Sequence, residues 1–169
     1  MKKFSLFFTA LLAVLILQTS CKKAGQLCFD FAQNTTISTN AAAAGPITIT
    51  KSLGTALADA LTGKGVKIDN VNSVKVNAIT ITIPSSAGYT FADISAAELL
   101  VNKISLGKLP ANATGLTQTF STPTQSDFKS AFLGTGGATI EFNATLTKAI
   151  PNASTLDVKI PLNTCYQVL

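Results

Sequence analysis

Ser105-Leu106-Gly107-Lys108 has the S-x-x-K spacing. That spacing makes a nucleophile when the serine opens a helix and the lysine follows one turn later. Around Ser105 the residues read as strand and turn, and neither S-D-N nor K-T-G occurs, so we expect a turn with a solvated lysine. Gly134-Thr135-Gly136-Gly137 lacks the G-K-[ST] ending of a phosphate loop and precedes a strand pattern. It reads as a helix stop followed by a turn, and Gly63-Lys64-Gly65 reads the same way. The 8 carboxylates are scattered, with Asp93 and Glu98 the closest pair outside the helices. With no D-x-D or EF-hand spacing, a Ca²⁺ site would need ligands gathered by folding. Asp93, in "FADIS", is expected to close a turn. Asn34, Asn112, Asn143 and Asn152 each begin N-x-[ST], which we read as incidental to Thr/Ser-rich loops and strand faces.

What the chain lacks narrows the chemistry further. Histidine is absent, which removes the commonest general base and metal ligand, and with it Ser-His-Asp and Cys-His catalysis. We therefore expect no enzyme, no catalytic set and no cofactor. Tryptophan is also absent, and Tyr89 and Tyr166 are the only tyrosines, a poor supply for aromatic sugar platforms. All 13 basic residues are lysines, so no guanidinium fork is available for phosphate. Without residues 1–20 the chain carries 11 lysines against 8 acidic residues, no electrostatic footprint for nucleic acid.

The three cysteines divide into one and two. Met1-Lys2-Lys3 starts positive, and Phe4 to Leu17 is apolar apart from Ser5 and Thr9. That run suits a signal-peptide core and is shorter than the ~20 apolar residues a bilayer span needs. Gln18-Thr19-Ser20 then leads into Cys21. The segment resembles a bacterial lipobox, although Leu17 stands one step earlier than the usual leucine. The resemblance implies cleavage before Cys21, a diacylglycerol on its thiol and a palmitate-type acyl chain on the new N-terminus. Two or three chains anchor stably where one does not. Lys22-Lys23-Ala24-Gly25 follows in place of the acidic run associated with surface export, so the reading is an outer-membrane lipoprotein facing the periplasm. Residues 1–20 are then signal peptide, 21–26 a lipidated tether and 27–169 the folded domain. Cys28 and Cys165 remain as an even pair in an oxidising compartment, which reads as one disulfide clamping the first strand to the last.

The folded part must be built mostly of strands. Leu27, Phe29 and Phe31 alternate with Cys28 and Asp30, and "ITIT" at 47–50 follows what reads as a polar, Ala-rich loop from Gln33 to Pro46. "SVKVNAITITI" at 73–83 shifts its in/out phase by one between Val76 and Ile79, which calls for a bulge or two strands meeting. Ala97 to Val101, Leu116 to Ser121, Ala138 to Lys148 and Leu156 to Val168 supply further strands. Two short helices interrupt them. "TALADALTGKG" has Thr55 as cap and glycines able to take the left-handed stop, and "SDFKSAFLG" has Ser126 or Thr124 as cap and Gly134 as stop. The expected fold is an all-β, antiparallel β-sandwich (immunoglobulin-like) with two short helices.

From about Ser52 onward the chain resembles small Bacteroidetes lipoproteins of unassigned function. The resemblance rests on "KGVKIDNVNSVKVNAITITIP…YTFADISAAELLV" and the later "DFK" helix. It also extends to the immunoglobulin-like sandwich of LEA14-type proteins. It implies the fold and carries over no functional residue. The function expected is a membrane-anchored accessory or protein-binding module, attached to the membrane by its lipid and meeting an envelope protein partner. The alternative is a carrier or sensor of an apolar ligand, with Leu99-Leu100-Val101 and Ile79–Ile83 lining a slot for an acyl chain.

Overall fold

The computed structural model describes residues 25–120 and 127–168. The leader, Cys21 and the Ser126 or Thr124 cap lie outside them. Among the described residues the chain forms two antiparallel sheets. The first has the order β1 (Gln26–Thr39), β9 (Ser154–Gln167), β4 (Ile79–Thr82), β7 (Thr117–Phe120), with β3 (Val71–Val76) also on β9. The second has the order β2 (Gly45–Gly54), β8 (Ala138–Leu146), β5 (Ile94–Val101), β6 (Ile104–Lys108).

β9 organises the first sheet. One of its sides is taken along all 14 residues by β1, so β3 and β4 must share the other. Val76 faces Leu162 while Thr80 faces Lys159, four residues of one strand against three of the other. The phase shift in the sequence is that slip, at the junction of two strands. Its cause is Pro161, which has no N–H to offer the ladder. The chain leaves strand geometry opposite it, and the Asn77 N–H donates to the Pro161 carbonyl at 2.9 Å.

Taking β3 and β4 as one interrupted course gives eight courses, with the first beside the last and the third between the last and the sixth. The other sheet runs second, seventh, fourth, fifth. That is the connectivity of a jelly roll, two Greek keys closed on each other. The expected antiparallel sandwich is what forms. Its strand order differs from the immunoglobulin pattern, where the first two strands are neighbours in one sheet; here β1 and β2 lie in different sheets.

The core fills the space between the sheets. Ile79, Ile81, Ile140, Leu99, Val101 and Ile160 are all fully buried, each from an alternate position of its strand. An aromatic column joins the layers. Phe120 of β7 lies 6.3 Å from Phe91 and 6.4 Å from Phe142 of β8, ring centre to ring centre. Thr164 of β9 also points inward, fully buried, and its hydroxyl has no partner. A buried hydroxyl left unpaired costs about 1–3 kcal/mol. Thr164→Val, which keeps the shape, should raise the chemical-denaturation midpoint by an amount worth about 1 kcal/mol.

Two expectations change in detail. β1 continues through Gln33 to Thr39, where a loop was expected, because Ile37 and Thr39 take buried alternate positions and pair with Leu156 and Ser154. The connection to β2 is correspondingly short. The helices stand where expected. α1 (Ala56–Gly63) ends with Gly65 at φ +72°, where the Gly65 N–H donates to Thr62 O and the Val66 N–H to Leu61 O, a Schellman stop. Thr55 bonds the Asp59 carboxylate through its hydroxyl rather than capping a backbone N–H. At α2 (Lys129–Leu133) the Asp127 carboxylate accepts from the Lys129 N–H and the Val74 N–H, both at 2.9 Å, and so ties the helix to β3.

Candidate functional site

The S-x-x-K residues lie on β6, not in a turn. The turn comes one step earlier, where Asn102 and Lys103 (φ 44° and 69°) link β5 to β6 in two residues. Positive φ at both central positions is the signature of the tight hairpin that matches strand twist. Asn102 is built for it: its Oδ1 accepts from the Thr139 N–H, and its Nδ2 donates to Ala131 O and Gly137 O. Asn102→Ala loses all three bonds and strains the turn, and should destabilise the fold by about 2–3 kcal/mol in a denaturant titration. Further along β6, Ser105 faces Leu100 and Gly107 faces Leu99, leaving Leu106 as the extra residue of a bulge. Lys108 stands opposite Glu98 on the outer face. A strand supplies no helical turn to carry a lysine over a serine, so the geometry that S-x-x-K chemistry uses is not formed here.

Gly134 to Gly137 joins α2 to β8, as expected of a helix stop and turn. Gly137 has φ +77° and packs against the Gly54 backbone so closely that a Cβ would lie 2.7 Å from Gly54 O. Asp93 closes a turn, as expected: its carboxylate accepts from the Thr90 N–H, and the Thr90 hydroxyl accepts from the Ala92 N–H. Among the described residues no three of His, Cys, Asp and Glu stand close enough to hold a metal ion.

Cys28 and Cys165 form the expected disulfide. They are directly opposed in the β1–β9 register, with Cα atoms 4.0 Å apart. The bridge therefore joins a pair that the ladder already aligns, and it spans 137 residues of sequence.

Both outer sheet faces are polar. On the second sheet, Thr48 donates to Asn143 Oδ1 at 2.7 Å and Asn143 Nδ2 donates to Glu141 Oε1 at 2.9 Å, while Lys103 pairs with Glu141 Oε2. The chain of bonds fixes the Asn143 amide and holds the Glu141 carboxylate charged. Hydrogen bonds from Lys103 and Asn143 lower its pKa below the ordinary 4.5. A lowered pKa stabilises the fold above the unfolded-state value, and that stability is lost as pH falls through the folded-state value. Carboxyl NMR should show Glu141 titrating below an ordinary glutamate, and Lys103→Ala should move it upward.

The outer face of the first sheet carries a hollow of about 610 Å³. Two cross-strand rows form its floor: Asn34, Lys159 and Thr80, and Thr36, Asp157 and Thr82. Each row draws one residue from β1, β9 and β4 in turn. Lys51 of β2 lines one side. It occupies an inward-facing position opposite Ile140, and an inward charge at a sheet edge discourages uncontrolled strand pairing. Sequence reading missed this site, and the residues that signal it are Thr80-x-Thr82 and Asp157-x-Lys159 on adjacent strands. The arrangement offers donors, acceptors and both charges to a polar ligand surface.

The residues expected to line an acyl slot are divided by the fold. Ile79, Ile81, Ile83, Leu99 and Val101 are fully buried in the core, while Leu100 takes the opposite face of β5. No helix among the described residues is long and apolar enough to cross a membrane.

No family model matches the chain, and no curated protein matches it. Among solved structures it is similar to a chain of Desmodium yellow mottle tymovirus, at 9% identity and a TM-score of 0.32, over 88% of this chain and 94% of that one. A likeness of that size carries no functional argument.

Proposed function

We propose that this protein is an envelope lipoprotein, anchored through lipid on Cys21 and facing the periplasm, that serves as a non-catalytic accessory or protein-binding module. The observation that carries the binding role is the polar hollow over β1, β9 and β4, with Asn34, Thr36, Lys51, Asp157 and Lys159 around it. β1 adds to it. It is an edge strand of 14 residues, paired on one side only among the described residues, with Asp30 its single charge. Long edges of this kind accept strands from partners. The Lys/Thr/Asn surface suits a polar protein face better than an apolar ligand. The carrier reading is weaker, because the side chains it needs are packed into the core.

The test is lysine crosslinking in cells, read by mass spectrometry. Lys51 and Lys159 should crosslink reproducibly to one partner protein, and Lys103 and Lys108, at the β6 edge of the second sheet, far from β2, should not. Absence of a partner, or crosslinks confined to Lys103 and Lys108, rejects the assignment. Labelling with a palmitate analogue tests the anchor separately: Cys21→Ala should abolish the label, and an unlabelled wild type rejects lipidation.

A further inference from the structure

The exposed large hydrophobic residues among those described are Leu27, Ile68 and Val168, at 54%, 36% and 46% exposure. Isolated exposed hydrophobics need no explanation. These are not isolated. Leu27 and Val168 line one hollow of about 370 Å³ together with Lys64 and Lys67. Ile68 lines an adjoining hollow that shares Gly65, Val66 and Lys67 with the first. Asp69 is the acidic member of that second rim. Lys64 sets its ammonium over the Phe29 ring, 5.2 Å from the ring centre, a cation–π contact that places a positive charge at the rim of this hollow.

The chain enters the fold at this same end. The Val168 N–H donates to Gly25 O at 2.6 Å, and β1 begins at the next residue. Four residue steps separate Gly25 from Cys21, at most about 14 Å of extended chain. Lys22 and Lys23 lie within those steps.

We infer that the end of the sandwich around Leu27, Ile68 and Val168 rests on the bilayer. The three side chains enter the boundary between headgroups and acyl chains, and Lys64 and Lys67 meet anionic headgroups. The inference rests on the proposal that Cys21 carries lipid, because the short tether is what holds this end, and no other, against the membrane. An apolar patch rimmed by lysine, fixed at that height, matches the chemistry of an interfacial contact. The opposite end of the sandwich then points away from the membrane.

The absence of tryptophan makes a direct test available. The full chain carrying Ile68→Trp is produced in a bacterial host. It is extracted and reconstituted into vesicles of phosphatidylethanolamine, phosphatidylglycerol and brominated phosphatidylcholine. Flotation with the vesicles reads the anchor, and quenching of the single indole by bromine reads the contact. We expect flotation, with emission reduced about twofold at a depth of about 5–10 Å. Ala43→Trp, an exposed site past the far end of β1, should float equally and stay bright. Adding Leu27→Glu and Val168→Glu to the Ile68→Trp protein should restore emission while flotation persists. A floating Ile68→Trp protein that is not quenched overturns the contact and leaves the anchor standing. Quenching that survives the two glutamates, or that is equal at Ala43→Trp, also overturns it. A protein that fails to float overturns the anchor and this inference together.

Discussion

Replacing Cys28 and Cys165 together by alanine should cost about 5 kcal/mol of stability, the value that chain entropy gives for a loop of this length. The bridge closes 137 residues, nearly all of the described fold. It constrains the unfolded chain to hold its first and last strands together. Without it, β1 must find β9 from the two ends of the sequence. Domains of this size are stable by only about 5–15 kcal/mol, so the loss is a large share of the total. A thermal midpoint lower by about 10–20 °C follows. Denaturant melts of the double variant, and of the wild type under reducing conditions, should agree. A midpoint unchanged within error would mean that the β1–β9 ladder organises the unfolded ensemble without the bridge.

Phe120→Ala should cost about 3–5 kcal/mol, the range for an aromatic removed from a packed core. Phe120 is 1% exposed and sits between Phe91 and Phe142, edge-on to the first and tilted to the second. Its loss empties the middle of the column that connects the sheets. Both neighbours then lose their aromatic contact as well as their packing. Phe120→Leu, which keeps most of the volume, should cost less than about 1.5 kcal/mol if packing rather than ring geometry dominates. Two equal costs in a denaturant titration would instead assign the energy to the aromatic contacts.

Much of this architecture was legible because alternation is local. Ile140, Phe142, Ala144 and Leu146 declare one buried face, and the structure buries all four. The phase slip between Val76 and Ile79 announced the junction that Pro161 imposes. The even cysteine pair announced the disulfide. What stayed hidden depends on residues far apart in sequence. Nothing in β1 or β2 alone says that they belong to different sheets, so the jelly-roll connectivity could not be read from periodicity. Gln33 to Thr39 resembled a loop because Asn, Thr and Ser dominate its composition. Its strand character comes from β9, which pairs with every residue of it. Ser105 to Lys108 looked like a turn because Gly107 sits inside it, although Gly107 is buried opposite Leu99. The hollow over the first sheet was equally illegible, since its floor is assembled from positions in three strands.

The placement of β9 has a consequence for how the chain is made. β9 is the ninth of the described strands and provides the pairing partner of β1, β3 and β4. Until residues 154–167 leave the ribosome, β1 has no neighbour and the first sheet has no centre. The second sheet reaches its middle strand only with β8. Before β8 emerges, a growing chain has only the β4–β7 and β5–β6 pairs to form, and β1, β2 and β3 have no strand to pair with. Long-range pairing of this kind is slow. Under the export proposed above, that delay is useful: the first sheet cannot assemble until residues 154–167 have been synthesised.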